Sequence, residues 1–441
     1  MKPIKRMKRT RCGRWEGFLN WLRVNDVWWD IKLVDIKVGS TSCVDSGLRM
    51  AVFSRKAIES GTKIAKIPKA ACIHAESDHL LGTALHSADI SGHLALIISL
   101  GHQMVLGENS KWENYIKSMP DFENIPKFWT SDELKYLEAT ELKGKTEKGL
   151  KFMQLDFDKY VRPLIDSNVL SDRFSFTVFK NAASLVSSRS FGVYISEDVG
   201  DAMVPMADIF NHKASVLKLG GEYMLGDQEE SDSDSVSPLC GMDSANGIGL
   251  KLHIGIIDDD AGNLDIVVVS DIEKDCEIFN TYGELGNADL VHKYGFCLPE
   301  NPFTAVSLDK SIFFDVVRTV LGDRVFTERF SILKDETALS VLDEEPFELY
   351  SNQHIGAPLY VALILFFESL ETFYDILSGD EAPEQDIPIS KLNEQMTSTL
   401  DTMCRKRLSL YGNIPTGEKY ETASTLMRSE INILKGFLLV V

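Results

Sequence analysis

An apolar run at residues 204–215, "VPMADIFNHKAS", carries Asp208, Asn211 and His212 within it. A carboxylate, an amide and an imidazole entering a core each need a partner, because a buried polar group left unpaired costs roughly 1–3 kcal/mol. The run therefore dictates that other parts of the chain, or a ligand, come to meet it. Taken alone it reads most simply as local capping. Asp and Asn at a helix end satisfy orphan backbone groups, and a lone His is more often a hydrogen-bonded core residue than a catalyst. The flanking sequence decides between capping and a binding site.

Patterning around the run is mixed. Residues 31–73 hold short apolar runs, "KLVDIKVG", "RMAVFS" and "TKIAKIP", with turns at Gly39, Gly47 and Gly61, and these predict small strands. Residues 74–185 read mostly as helix, and "TSDELKYLEATEL" opens on Thr130 or Ser131 as an N-cap. Strands resume in "GLKLHIGIID" and "LDIVVVSDI", joined by a hairpin turn at "IDDDAGNLD". From residue 301 a 3.6-residue period dominates, with Leu400, Met403, Cys404, Leu408 and Tyr411 on one stripe. The chain thus divides into an N-terminal arm and short helix (1–30), a mixed domain (31–303) and an all-α domain (304–441). The mixed domain is expected to contain a helical insertion at about 75–185. It is also expected to contain an acidic, disordered loop at about 222–246, whose composition cannot offset the entropy of ordering. The fold class is α+β.

Charge and cysteine usage narrow the function. A formal net charge of -20 opposes nucleic-acid binding over most of the surface and suits a cationic ligand or a Lys-rich protein segment. The first residues, "MKPIKRMKRTRCGR", are basic throughout, either a solvated arm or a nuclear-import signal. With no N-terminal apolar segment of signal type, the nucleus or cytoplasm is expected, the arm favouring the nucleus. The longest apolar stretch, residues 355–367, is too short to span a bilayer, so no membrane association is expected. Seven dispersed cysteines without a C-x-x-C pair argue for a reducing compartment and against zinc.

A second stretch, "EIFNTYGELGNADLVHKYGFCLPENP" (277–302), places Asn280, Tyr282, Tyr294 and Phe296 near a strand end and a Gly-containing turn. Together with the Asn211-His212 pair it resembles the SET-domain methyltransferases. In that family two such pieces pass through one another as a pseudoknot, a rare exception to unthreaded connections. "WLRVND", "IPKAACI", "SKWENYIKSMP", "FWTSDELKYLEATEL", "VSSRSF" and "PMADIFNH", in that order before a helical C-terminal domain, narrow the resemblance to the Rubisco large-subunit methyltransferase-type branch. The missing C-x-C-x-x-x-x-C tail agrees with that branch.

The resemblance implies a protein-lysine N-methyltransferase using S-adenosylmethionine, with no metal, acting as a monomer on an accessible lysine of a protein substrate, with the helical domain 304–441 binding that substrate. It implies that Gly47, Arg189, Asn211, His212, Tyr282 and Phe296 bind the cofactor, Phe296 by packing on the adenine. Tyr282 matches the tyrosine at the methyl-transfer channel, and Phe191, Asp208 and Tyr294 match the walls of the lysine pocket. One departure is Arg49, where the branch usually has a second glycine for close backbone approach to the ligand. The residue types suit the chemistry. A lysine amine at its ordinary pKa of ~10.4 is protonated, and an aromatic, apolar channel disfavours that form. Aligning amine and sulfonium can contribute ~7–11 kcal/mol. The rival readings are histidine methylation, a catalytically weak SET scaffold that binds a basic partner, and a metal hydrolase using Asp208 and His212. Two ligands without a third at metal spacing argue against the last.

Overall fold

The computed structural model describes residues 15–38, 50–195, 199–214, 218–219, 222–223, 253–259, 261–335, 346–378 and 386–439. The basic arm, Gly47, Arg49 and nearly all of the acidic loop lie outside them. Among the described residues, no helix is long and apolar enough to cross a membrane.

The strands expected from the short apolar runs form two small antiparallel sheets. Strands β1 (Trp28–Trp29), β4 (Lys63–Pro68), β10 (Asn263–Val268) and β9 (Ile254–Asp258) make the first, in that order. Strands β2 (Val34–Val38), β3 (Met50–Ser54) and β11 (Glu277–Ile278) make the second, with β3 central. The hairpin between β9 and β10 closes on Asp259, whose carboxylate accepts from the backbone N–H groups of Ala261 and Asn263. That is the local turn chemistry for which Asp is chosen. Two-stranded ribbons β5–β6 (Ser190–Tyr194 with Val199–Met203) and β7–β8 (Lys218–Leu219 with Glu222–Tyr223) complete this half.

The insertion is helical, as its periodicity predicts. Its helix Gly92–Leu106 is buried on most sides and packs along Phe176–Arg189, which Ser175 caps by accepting from Val178 N–H. The N-terminal helix at residues 15–24 buries Phe18, Trp21 and Leu22 in the same core.

The C-terminal region departs from the all-α expectation. Its helices surround a four-stranded antiparallel sheet of β12 (Ala305–Leu308), β13 (Phe347–Tyr350), β14 (His354–Gly356) and β15 (Asp386–Pro388). Strands of three or four residues are too short to display a period of two, and the long helical stripes beside them dominate the pattern. Val306, Leu308, Phe347, Leu349 and Ile355 of the sheet join the buried cluster made by the helices Ala357–Phe367 and Glu394–Leu408.

A polar network closes the seam between the insertion and this region. Arg407, 8% exposed, donates to the carbonyl of Ala139 and to the Glu141 carboxylate, which also accepts from Ser307 N–H. Fully buried Glu430 accepts from Glu141 N–H and from the Tyr411 hydroxyl. Burial pushes the Glu430 carboxyl up to about 8, against the hydrogen bonds it accepts. The folded state therefore keeps a proton that the unfolded chain releases near pH 4.5, so this group's stabilisation is lost as pH rises from about 4.5 to about 8. Urea unfolding at pH 6 and pH 8 should show the wild type losing up to roughly 1.4 kcal/mol per pH unit relative to Glu430→Gln. Parallel pH dependence in the two proteins would refute the assignment.

Candidate active site

The polar run begins where β6 ends, and Met203 is held there by an antiparallel bridge to Ile73. Met206 adopts φ 81°, a conformation that L side chains rarely take and that stores roughly 1–3 kcal/mol. The turn Ala207–Ile209 follows at once and turns Asp208 inward. Such strain persists only where the surroundings over-determine it, and here Tyr115 and Arg189 both bond Asp208.

Tyr115 is fully buried, stacked against Phe18 and Trp21 at 5.8 Å each, and its hydroxyl donates to Asp208 Oδ2 at 3.1 Å. Arg189, the last residue of its helix, reaches the same place. Its Nε and Nη2 donate to Glu123 Oε1 at 2.9 and 2.7 Å, and Nη1 donates to the Asp208 carbonyl at 3.3 Å. Nη1 also stands 3.6 Å from Asp208 Oδ2. Burial opposes the guanidinium charge, yet Glu123 and Asp208 together hold its pKa above the ordinary value. Burial pushes the Asp208 carboxyl up to about 6, with Arg189 and Tyr115 opposing the rise. Among the described residues, the buried Asp208 Oδ1 has no hydrogen-bond partner.

The second motif meets the first in parallel. Asn280 N–H donates to the Asn211 carbonyl at 2.9 Å, Lys213 N–H donates to the Asn280 carbonyl at 3.1 Å, and His212 bridges Asn280. The Asn211 side chain ties the strands beneath, its Nδ2 donating to Glu277 Oε1 at 2.8 Å and to the Met50 carbonyl at 3.4 Å. Tyr282 N–H donates to His212 Nδ1 at 3.0 Å, and the Tyr282 hydroxyl donates to the Phe210 carbonyl at 3.2 Å. His212 is neutral at physiological pH, since burial lowers its pKa to about 4.

Four rings gather here. Tyr282 stacks on His212 at 4.9 Å and on Tyr294 at 4.6 Å, and Phe296 lies 6.1–6.5 Å from all three. Gly295 makes this spacing possible. It takes φ 78°, and a Cβ there would stand 2.6 Å from the Asn124 carbonyl, so the Glu123 segment is pressed directly against the Tyr294–Phe296 turn.

The structure thus brings Arg189 and Asp208 into one cluster and Asn211, His212, Tyr282, Tyr294 and Phe296 into another, linked through Phe210. Phe191 pairs with Ala202 in the β5–β6 ribbon and packs on the N-terminal core, with no ring contact among the described residues. Glu123, Tyr115 and Glu277 are additions that sequence reasoning missed. A single acid in "PDFENIP" and one tyrosine in a helical run carry no periodic signal. Asn280 was visible beside Tyr282, but that its buried Oδ1 has no partner among the described residues was not.

The donor set is one of acceptors and π-faces. Among the described residues, Asp208 Oδ1 and Asn280 Oδ1 are buried acceptors without donors, and Asn280 adjoins the paired segment that carries the rings. This fits a cationic ligand with N–H donors, as S-adenosylmethionine is. Among the described residues, no three His, Cys, Asp or Glu side chains group as a metal site.

No family model matches the chain. Curated relatives do. The ribosomal lysine N-methyltransferase set10 of Schizosaccharomyces pombe is 25% identical over 223 residues, 50% of this chain and 34% of that protein. The N-lysine methyltransferase SETD6 of Bos taurus is 27% identical over 264 residues, 56% of this chain and 50% of that protein. The chain thus matches a third to a half of the length of these relatives. Among solved structures, the SET domain of LSMT bound to lysine and AdoHcy superposes with a TM-score of 0.60 at 16% identity, covering 97% of this chain and 90% of that one. The fold is that of the SET domain. More narrowly, Rubisco LSMT bound to AdoMet superposes with a TM-score of 0.59 over 96% of this chain, so the helical insertion and the helix-rich C-terminal region belong to the shared fold.

The cluster around Arg189 makes a stability prediction. Glu123 is the main counter-charge of a guanidinium only 14% exposed. Glu123→Ala should therefore cost roughly 3–5 kcal/mol in urea unfolding at pH 7, as a broken buried pair does. Tyr115→Phe deletes one hydrogen bond and should cost roughly 1–2 kcal/mol. Equal losses from the two variants would show that Glu123 does not carry the charge balance.

Proposed function

We propose that the protein is a protein-lysine N-methyltransferase that takes its methyl group from S-adenosylmethionine. One observation carries the reading. The Asn211-His212 segment and the Tyr282 segment run in parallel, and their pairing sets a tyrosine hydroxyl on a main-chain carbonyl inside a ring of aromatics. The names of the relatives and the lysine bound in the similar structure support it.

When bound, S-adenosylmethionine supplies an electrophilic methyl on a sulfonium cation. The chain's own residues do the remainder. Asn211, His212 and Phe296, with Arg189 and Gly47, are assigned to the cofactor, while Tyr294, Asp208 and Phe191 are assigned to the lysine side. The aromatic walls disfavour an ammonium ion and so favour a neutral, nucleophilic amine. His212 Nδ1 accepts from Tyr282 N–H and fixes that segment, and the Phe210 carbonyl fixes the direction of the Tyr282 hydroxyl. Tyr282 is thereby an aligning group, needing no proton transfer of its own. The substrate is an accessible lysine on a protein, the protein acts as a monomer, and the basic arm favours the nucleus over the cytoplasm.

Calorimetric titration with S-adenosylmethionine tests the cofactor, and absence of binding would leave the non-catalytic scaffold as the better reading. Mass spectrometry of a proteome incubated with enzyme and labelled cofactor tests the acceptor, where methyl-histidine in place of methyl-lysine would decide against lysine. On a target so identified, Tyr282→Phe should lower single-turnover kcat by orders of magnitude with cofactor affinity little changed. Its loss of stability should be only about 1 kcal/mol, one hydrogen bond. A variant as active as wild type would move the chemistry away from Tyr282.

A further inference from the structure

A second polar cluster, which methyl transfer does not use, lies where the insertion meets the helix Asn287–Tyr294. Three of its side chains lack partners. Thr146 is 5% exposed, and its Oγ1 bonds nothing among the described residues. His292 Nδ1 is buried and without a partner there as well. The half-buried Lys127 makes no hydrogen bond or ion pair among the described residues. Burial lowers its pKa and no carboxylate opposes the fall, so its ammonium ion is short of a counter-charge.

These groups converge on one place. Lys127 lies across the helix Lys145–Asp156 at Gly149, where a Cβ would stand 3.0 Å from its Cε and 3.8 Å from its Nζ. Glycine weakens a helix interior, and here it admits the lysine. Thr146 sits three residues before Gly149 and so on the same face. Burial, Lys127 and Lys145 push the His292 pKa down to about 4, with Lys293 adding to the fall and Asp289 opposing it. The charge around the imidazole is thus three lysines against one carboxylate. Glu147, the acid of the helix's first turn, is exposed. The helix adds donors of its own. Gly144 precedes it in the left-handed conformation and supplies no side-chain cap. The N–H groups of Thr146 and Glu147 donate to nothing among the described residues. Free first-turn N–H groups carry partial positive charge and suit an anion.

We propose that Lys127, Thr146, His292 and the first turn of the helix Lys145–Asp156 bind a small tetrahedral oxyanion of phosphate type. Donors arrive from three separate elements, more than the two coplanar oxygens of a carboxylate can meet. The oxyanion accepts from the Thr146 hydroxyl, the Lys127 ammonium, the His292 ring and the free main-chain N–H groups. It ties the insertion to the helix that ends at Tyr294.

Equilibrium dialysis of the full chain against radiolabelled inorganic phosphate, at a low ionic strength held constant with chloride, tests the proposal. Phosphate should bind saturably, with a single site per chain. Lys127→Met keeps the stem over Gly149, removes the charge and should weaken binding by about tenfold or more. Thr146→Val keeps the buried shape without the hydroxyl and should weaken it too. Thermal melts give a second readout. Without phosphate, Lys127→Met should melt above the wild type, because an uncompensated buried charge is gone. Phosphate should raise the melting temperature of the wild type and leave that of Lys127→Met unchanged. O-phospho-L-serine is run beside phosphate. Binding of either supports the site, and the tighter of the two shows whether the oxyanion is free or carried on a side chain. Absence of saturable binding by both, wild-type affinity in Lys127→Met, or equal protection by chloride overturns the proposal. The measurement uses no S-adenosylmethionine, so it stands or falls apart from the methyltransferase reading.

Discussion

Two short hydrogen-bonded contacts, Asn280 N–H to the Asn211 carbonyl and Lys213 N–H to the Asn280 carbonyl, hold together segments almost seventy residues apart in the chain. Everything at the site hangs from that parallel pairing. It seats Tyr282 N–H on His212 Nδ1, which brings the Tyr282 ring onto His212 and its hydroxyl onto the Phe210 carbonyl. Asn211 reinforces it from below through Glu277, which sits on β11 beside the central strand β3. A side chain first read as a cofactor ligand is therefore also a structural tie. Its replacement would disturb strand and site together, so loss of cofactor binding in an Asn211 variant is informative only beside a melting curve.

Support for the pairing comes from far along the chain. The N-terminal helix supplies Phe18 and Trp21, which fix the Tyr115 ring, which in turn fixes Asp208. Asp208 and Glu123 then share Arg189. A motif as plain as "WLRVND" thus reaches the site through three contacts. Its presence in order with the others reflects physical dependence, because losing any one layer leaves a buried charge or hydroxyl without its partner.

Much of this was legible in the sequence. β2, β3 and β4 followed from short β-branched runs, the insertion from helical periodicity, and the β9–β10 hairpin from its Asp and Gly turn residues. The ring cluster was legible as well, since Tyr282, Tyr294 and Phe296 fall within fifteen residues of one another and a helix brings them to one side. What stayed hidden were long-range polar pairings. Nothing local distinguishes Glu123 or Glu430 from exposed acids nearby, because burial of a carboxylate is decided by which distant cation or hydroxyl it meets. The four-stranded sheet of the C-terminal region was hidden for a different reason: its strands are shorter than the window in which alternation becomes visible.

The charge count at the site carries the chemistry furthest. One guanidinium serves two buried carboxylates, so with both ionised the cluster is short of one positive charge. Burial raises Asp208 only to about 6, so it is mostly ionised at neutral pH, and its Oδ1 meets no donor among the described residues. A neutral His212, with a pKa near 4, cannot supply the missing charge. The aromatic faces around Tyr282 stabilise cations but cannot neutralise a carboxylate. What fits both deficits is a cation that brings its own N–H groups. An anionic or purely apolar ligand would leave Asp208 uncompensated, and buried electrostatics of that kind reject a ligand more sharply than a missing contact does.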